Sequence, residues 1–186
     1  MTLPQGSGQD DWRRDVLTYW FDLTKEQWFK SDPAVDANIT GRFRDLYEQK
    51  RELPASSFLD DPLTALAAII LFDQFPRNMF RGLADQFATD HLALAIAKGA
   101  IERGFDDELK TDERAFLYMP FQHSEDLADQ NRSVLLFTEL GDQEQLGYAK
   151  KHYGIIKRFG RFPHRNAILG RAPRPDETAA GDVFPW

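Results

Sequence analysis

The sequence predicts an all-α fold of about eight helices in antiparallel pairs, and three observations support this prediction. Apolar residues recur at the helical spacing i, i+3, i+4 and i+7 over most of the chain. No window shows the sustained two-residue alternation with β-branched residues that is typical of a strand. Pro, Gly and Asp separate helical segments of about 10 to 18 residues, and such short linkers favour a bundle or a solenoid-like stack.

The three N-terminal helices are each expected to begin at aspartate, a preferred N-cap residue. The starts are Asp10-Asp11, Asp32-Pro33 and Asp61-Pro62. The inward faces are Trp12, Val16, Tyr19 and Trp20 in the first helix, Val35, Ile39, Phe43 and Tyr47 in the second, and Leu63, Leu66 and Ile70 in the third. The third is expected to end near Phe75, because Pro76 disfavours helical geometry in the residue before it.

Five further helices are predicted from their start and stop residues. They are Thr89 to Arg103 (ending at Gly104), Asp112 to Met119 (halted by Pro120), a helix from a Ser124 cap to Gly141, one opened by Asp142 with Leu146, Ala149, Tyr153 and Ile156 inward, and a short helix after Pro163. In this interpretation Glu125 and Asp126 lie in the first turn of the sixth helix, where acidic residues are favoured.

Length and composition indicate one helical domain, residues 1–174, followed by a loosely attached proline-containing tail, residues 175–186. Apolar residues make up 42% of the 186, so a sizeable core is available. Cysteine is absent, which excludes disulfides, thiolate metal sites and cysteine nucleophiles. No signal-peptide pattern is present and the longest apolar run, Leu66 to Phe72, is too short to span a bilayer, so we expect a cytoplasmic protein without a membrane partner.

Charge is unevenly distributed along the chain. The net charge is −7, yet residues 145–175 contain eight Lys and Arg and no Asp or Glu. This basic segment either packs against the acidic remainder or creates a local field that attracts anions. Because the rest of the chain would repel phosphate, and no recognition signature occurs, we expect no nucleic-acid partner.

Two similar motifs place a cation after a proline that suits a helix start. They are F-D-Q-F-P-R-N, Phe72 to Asn78, and F-G-R-F-P-H-R-N, Phe159 to Asn166. Helix N-termini already carry partial positive charge, so cations there indicate a bound anion or an internal carboxylate. The alternative is that both motifs are the same helix-to-helix corner, with the Phe residues filling the core.

Three blocks of the sequence resemble a known family. They are I-I-L-F-D-Q-F-P-R-N-M-F-R-G (Ile69 to Gly82), F-L-Y-M-P-F-Q-H-S-E-D-L-A-D-Q (Phe116 to Gln130) and F-G-R-F-P-H-R-N-A-I-L-G-R (Phe159 to Arg171). Together they are similar to the signature blocks of the bacterial family catalogued as Domain of Unknown Function 924. The resemblance extends from about Val16 to Arg171 and implies a tetratricopeptide-like α-α superhelix. It implies no activity, cofactor or site residue.

The polar residues of these blocks are the candidate site. His123 and Glu125 are the candidate catalytic pair, since a His beside a carboxylate suits acid–base chemistry. The candidate ligand-binding residues are Asp73, Gln74, Arg77, Asn78, Gln130, His152, Arg158, Arg161, His164, Arg165, Asn166 and Arg171. No metal site is predicted, because the four histidines lack H-x-x-x-H or H-E-x-x-H spacing. No phosphate loop or nucleophile elbow occurs either, and the sequence does not indicate a cofactor.

Three functions remain open at this stage. The first is a pocket that binds a small anionic molecule or an acidic peptide terminus through Arg77, Arg161 and Arg165. The second is an enzyme that uses His123 and Glu125 on an anionic substrate. The third is a scaffold with a groove for a protein partner, which would show exposed aromatic side chains on a concave face. The sequence does not determine the oligomeric state.

Overall fold

The computed structural model describes residues 11–186, and every regular element in that range is helical. The α-helices are α1 (Trp12–Asp22), α2 (Lys25–Phe29), α3 (Pro33–Lys50), α4 (Pro62–Ile69), α5 (Phe75–Met79), α6 (Asp90–Glu102), α7 (Thr111–His123), α8 (Leu127–Leu140), α9 (Gln143–Phe159) and α10 (Pro175–Ala180). The predicted all-α class is therefore confirmed. No helix in the described range is both long and apolar enough to cross a bilayer.

Five of the ten α-helices in the described residues begin at an aspartate cap. In α3 the Asp32 carboxylate accepts hydrogen bonds from the N–H groups of Ala34 and Val35. The predicted face of this helix is buried, namely Val35, Ile39, Phe43 and Tyr47. Asp11 caps α1 in the same way, whereas its predicted companion Asp10 lies outside the described residues. Local capping and helical periodicity together explain why these boundaries could be predicted.

Two prolines that were expected to end helices instead lie within them. The third predicted helix continues from α4 through a five-residue π turn, Ile70–Gln74, into α5, which contains Pro76. Helix α7 likewise passes Pro120 and ends at His123. The side chains around Pro120 are buried, and each contributes about 1.5–3 kcal/mol, so together they outweigh the ~3 kcal/mol cost of an interior proline.

The corner between α7 and α8 also differs from the prediction. Asp126, not Ser124, caps α8, and its carboxylate accepts from the N–H groups of Ala128 and Asp129. Glu125 therefore lies in the linker rather than in the first helical turn. Helix α8 packs against both α7 and α9, and it ends at Gly141, whose φ of +82° favours glycine.

The apolar interior has a main core and a smaller second cluster. The main core is built from α1, α3, α4, α6, α7, α8 and the start of α9. The second cluster contains Ile155, Ile156, Phe159 and Phe162, with Ala180 and Val183 packed against it. The predicted eighth helix is a single 3₁₀ turn, Pro163–Arg165, which follows this cluster and positions the Arg165 guanidinium over Phe87 and near Asp90.

The first part of the C-terminal tail is attached by a buried carboxylate. Glu177 of α10 is only 3% exposed. Its carboxylate accepts from Arg161 at 2.6 and 2.9 Å, from Asn166 at 3.0 Å and from the Arg174 N–H at 2.7 Å. These hydrogen bonds join the first part of the tail to Arg161 and Asn166.

Candidate functional site

The π turn places a charged side chain inside the protein. Asp73 lies in this turn and is fully buried. The turn is wide because the Phe75 N–H donates to the carbonyl of Ile70, five residues earlier. In a regular helix the Phe72 carbonyl would accept from the N–H of residue 76, but Pro76 has no N–H. The Thr89 hydroxyl donates to this carbonyl instead, at 2.7 Å. Single π turns in helices are frequent at functional sites.

Asp73 is held by a histidine and an arginine. Its Oδ1 lies 2.8 Å from Nδ1 of His123, and its Oδ2 accepts from the Gln74 amide at 2.7 Å. Arg77 Nη1 lies 3.6 Å from Oδ1 and also donates to the Asp73 main-chain oxygen. Burial alone would raise the pKa of Asp73, but the charges of His123 and Arg77 and the hydrogen bonds from His123 and Gln74 outweigh it and lower that pKa to about 2.

A second carboxylate, Asp90 at the start of α6, joins two arginines. Arg77 makes a bidentate pair with Asp90 at 2.8 and 3.0 Å. Arg165 lies farther from it, at 3.7 Å, and donates to the His123 carbonyl at 3.1 Å. The Arg165 guanidinium also lies over the rings of Phe87 and Phe162, at 4.4 and 4.6 Å from their centroids.

Arg165 is incompletely neutralised for a buried cation. Within residues 11–186 its buried Nε has no hydrogen-bond partner. Burial and repulsion from Arg77 lower the pKa of Arg165 to about 10, despite the attraction of Asp90. Arg77, by contrast, has two carboxylates beside it, and they raise its pKa against the effect of burial. A hydrogen bond from Arg165 would therefore stabilise a bound acidic group more than one from Arg77, whose charge is already compensated.

Two further histidines lie beside this group and are neutral. His152 Nδ1 donates to the Tyr148 carbonyl at 2.8 Å, which leaves Nε2 as an acceptor. Burial lowers the pKa of His152 to about 3 and that of His164 to about 4. The His152 ring lies 6.3 Å from His123 and 5.5 Å from Phe162, and the His164 ring lies 5.6 Å from Phe162.

We call these residues the Asp73 cluster: Asp73, Arg77, Asp90, His123, His152, His164 and Arg165. Its two carboxylates and two guanidinium groups balance in charge when the histidines are neutral. The cluster is partly open to solvent, since the side chains of Arg77 and Asp90 are 21% and 18% exposed. Two clefts of the described surface lie elsewhere, one between α2 and α7 and one along α9.

The sequence predicted that Glu125 pairs with His123, but the carboxylate that contacts the His123 ring is that of Asp73. The Glu125 carboxylate instead forms a bidentate pair with Arg171, at 2.7 and 3.0 Å. It also accepts from the Phe162 N–H at 2.8 Å, while Arg171 donates to the Phe162 carbonyl at 3.0 Å. Burial would raise the pKa of Glu125, but these hydrogen bonds lower it. Glu125 and Arg171 thus clamp the main chain at Phe162.

The remaining predicted site residues are distributed as follows. Gln74 touches the Asp73 cluster, whereas Arg161 and Asn166 contact Glu177. Gln130 donates to main-chain carbonyls at the α7–α8 corner, Asn78 donates to Asp36, and Arg158 lies on the exposed face of α9 over the Phe159 ring. In the part of the chain that the structure describes, no three His, Asp or Glu are grouped as metal ligands.

Sequence reasoning missed Asp90, Glu177 and the pairing of Asp73 with His123. Asp90 begins α6 and Glu177 is the third residue of α10, positions at which an acid commonly serves the helix itself. Their partners lie 13 and 16 residues away in sequence, so local patterns did not reveal them. A signal for Asp73 was present, because a charged residue within the apolar run of α4 and the π turn must find a buried partner.

Comparison with known proteins agrees with this fold. A family model described as "Bacterial protein of unknown function (DUF924)" matches residues 16–180. A solved structure of a protein of unknown function from Agrobacterium tumefaciens is 41% identical, with a TM-score of 0.83, over 90% of this chain and 95% of that one. Curated proteins gave no match. The family model spans most of the chain, and this protein therefore belongs to the DUF924 family.

Proposed function

We propose that the Asp73 cluster binds a small molecule bearing an acidic group and that His123 exchanges a proton with it. The contact between Asp73 and Nδ1 of His123 carries this proposal. A carboxylate at Nδ1 fixes the tautomer of a neutral imidazole and leaves Nε2 to accept or donate a proton. Because Asp73 is ionised and buried beside it, the carboxylate can orient His123 without itself taking up the proton.

Arg165 is the residue that would hold the acidic group of the ligand. The three arginines first considered for an anion were Arg77, Arg161 and Arg165. Arg77 and Arg161 have carboxylate partners at 2.8 and 2.6 Å, so their donors are occupied. Arg165 keeps a buried Nε–H without an acceptor in the described residues, and its Nη2 donates to the main-chain carbonyl of His123.

A second candidate function is binding without proton exchange. The buried Arg165 Nε–H without an acceptor in the described residues favours it, because this donor can bind an acidic group without any proton step at His123. The scaffold function has less support at the two repeated motifs, since Phe72, Phe75, Phe159 and Phe162 are all buried.

Ligand screening and isotope exchange test both candidates. The melting temperature of the wild type is measured against panels of small carboxylates and phosphates, because a ligand that binds the native state raises it. Each ligand that binds is then incubated with the protein in D₂O and followed by NMR for deuterium incorporation or a product. The variants are Arg165→Lys, His123→Asn and, as a control with an exposed histidine, His91→Asn.

We expect Arg165→Lys to weaken binding by about tenfold, the equivalent of one hydrogen bond to a charged group. His123→Asn keeps a donor toward Asp73 and should bind the ligand but lose exchange, while His91→Asn behaves as wild type. Equal stabilisation of wild type and Arg165→Lys would contradict the anion-binding role. Equally fast exchange in His123→Asn and wild type would mean that His123 does not transfer the proton. Ligand binding without any exchange in the wild type would support the second candidate, binding alone.

A further inference from the structure

Helix α9 carries an exposed basic face outside the Asp73 cluster. Lys150, Lys151, Lys157 and Arg158 are all exposed. The salt bridges found across residues 11–186 involve none of the four. Such a concentration of unpaired cations is unusual in a chain with a net charge of −7, and it creates a positive field on one side of the molecule.

An open groove runs beside this basic face. Its lining includes the cations Lys150, Lys151 and Arg158 of α9 and the apolar Val183 and Phe184 of the C-terminal segment. Asp182 contributes one carboxylate to the lining. The groove encloses about 380 Å³, and Phe184 is 50% exposed even though its ring packs against Trp186 at 5.2 Å.

We propose that this groove binds a short acidic peptide segment that carries an apolar side chain. Three cations against one carboxylate match negative charge on the partner, and the exposed Phe184 ring matches an apolar side chain. Residues 150–159 of α9 extend over about 14 Å, at 1.5 Å per residue, which is the length of about four extended residues.

A peptide fits this groove better than a small molecule does. Small-molecule sites are concave and bury about 70–90% of the ligand, whereas this groove is open along its length. The field of the three cations would also speed the encounter with an acidic segment and make its binding sensitive to salt. None of these residues belongs to the Asp73 cluster, and the groove meets that cluster where the Phe184 ring lies 6.1 Å from the His164 ring.

Fluorescence anisotropy with labelled peptides tests the groove. The probe peptide is Glu-Asp-Leu-Phe-Asp-Glu, and two controls replace Leu-Phe by Gly-Gly or every acid by Lys. We expect the probe to bind, the Gly-Gly peptide to bind about tenfold more weakly and the Lys peptide not to bind. Added salt should weaken the probe's affinity.

Protein variants separate specific binding from general attraction. The variant Lys150→Ala/Lys151→Ala/Arg158→Ala should lose about tenfold in affinity, as expected for three exposed charge contacts. The matched control Arg14→Ala/Arg44→Ala/Arg132→Ala removes the same charge from exposed positions elsewhere and should bind as wild type. Phe184→Ala changes no charge and should also weaken binding.

Three results would overturn the peptide proposal. The first is no binding of the probe, and the second is an equal loss in the two triple variants, which would mean non-specific attraction. The third is binding to phosphatidylglycerol vesicles, lost in the Lys150→Ala/Lys151→Ala/Arg158→Ala variant, together with no binding of the probe. That result would assign the basic face to an anionic membrane surface instead.

Discussion

Asp73 remains ionised in surroundings that would normally neutralise a carboxyl group. Burial disfavours its charge, yet the histidine and arginine beside it favour it more strongly. His152 and His164 show the opposite outcome, because no carboxylate compensates for their burial and both pKa values fall. Within the Asp73 cluster, Asp73 is therefore ionised, whereas two of the three histidines, His152 and His164, are uncharged.

The buried neutral His152 should make stability depend on pH. Its folded pKa of about 3 lies below the ordinary value of 6.5, so the unfolded chain binds more protons between these values. Stability is therefore fully present above pH 6.5 and is lost as the pH falls toward 3, by up to about 1.4 kcal/mol per pH unit for this group. Urea unfolding of wild type and His152→Asn from pH 7.5 to 5 measures this slope.

His152→Asn retains a donor that can reach the Tyr148 carbonyl but cannot take up a proton. Its unfolding free energy should therefore fall less steeply with acid than that of the wild type. Identical slopes for the two proteins would mean that His152 is not the group responsible.

The pair between Glu125 and Arg171 should stabilise the folded state even though it lies beside the proposed site. Both side chains contact the main chain of Phe162, so removing one leaves the other charge partly buried without its partner. We expect Glu125→Gln and Arg171→Met each to cost about 1–3 kcal/mol in unfolding free energy. The double variant should cost less than the sum, by a coupling of about 1 kcal/mol or more. If urea denaturation shows that the losses of the two single variants add up to that of the double variant, Glu125 and Arg171 do not act as a pair.

At the scale of elements, the π turn is the feature that creates the site. It brings Asp73 inward directly after the apolar run from Ala65 to Phe72, and it accommodates Pro76 without ending the helix. The Thr89 hydroxyl completes the turn by donating to the Phe72 carbonyl. The turn therefore depends on α6, whose start is at Asp90, immediately after this threonine.

Thr89→Val tests this dependence with nearly unchanged volume. The Phe72 carbonyl would lose its hydroxyl donor in a buried position, and we expect a loss of about 1–3 kcal/mol in unfolding free energy. Thr89→Ser retains the hydroxyl and should lose less. Should the valine variant be as stable as the serine variant, the hydroxyl would have no role in holding the turn.

At the scale of the whole molecule, Glu177 joins the C-terminal segment to the rest of the protein. It is bound by Arg161, by Asn166 and by the main chain at Arg174. The hydrogen bond from Arg161 is the largest cause that lowers the pKa of Glu177, to about 2. This attachment is present above the ordinary glutamate pKa of 4.5 and is lost as the pH falls toward 2.

Glu177→Gln should loosen the C-terminal segment at neutral pH. The amide keeps the shape but loses the charge that Arg161 requires, so the segment from Ala172 onward should be cut faster in limited proteolysis. The neighbouring Asp176→Asn is the control, since Asp176 is exposed. Equal cutting rates in the two variants would mean that the Glu177 charge does not hold this segment.

The parts of the structure that could be predicted depend on neighbouring residues. Caps such as Asp32 and Asp142, and the buried face of α3, follow from spacing within one helix. The proline rules were wrong at Pro76 and Pro120, because burial elsewhere outweighed a local cost. The pairing of His123 was also misjudged, since its neighbour Glu125 was the obvious carboxylate while Asp73 lies 50 residues earlier. Partners so distant become visible only when the helices are packed.

The long sequence separation between the members of the Asp73 cluster affects folding during synthesis. Asp73 and His123 lie 50 residues apart and Arg165 follows His123 by 42, so synthesis at about 5–20 residues per second delivers them at intervals of about 2 to 10 seconds. During the first interval the growing chain holds Asp73 with Arg77 but without His123, the residue that contacts its carboxylate at 2.8 Å in the folded protein. We expect the nascent helices to stay loosely associated there, because closing around that carboxylate is unfavourable until His123 leaves the ribosome.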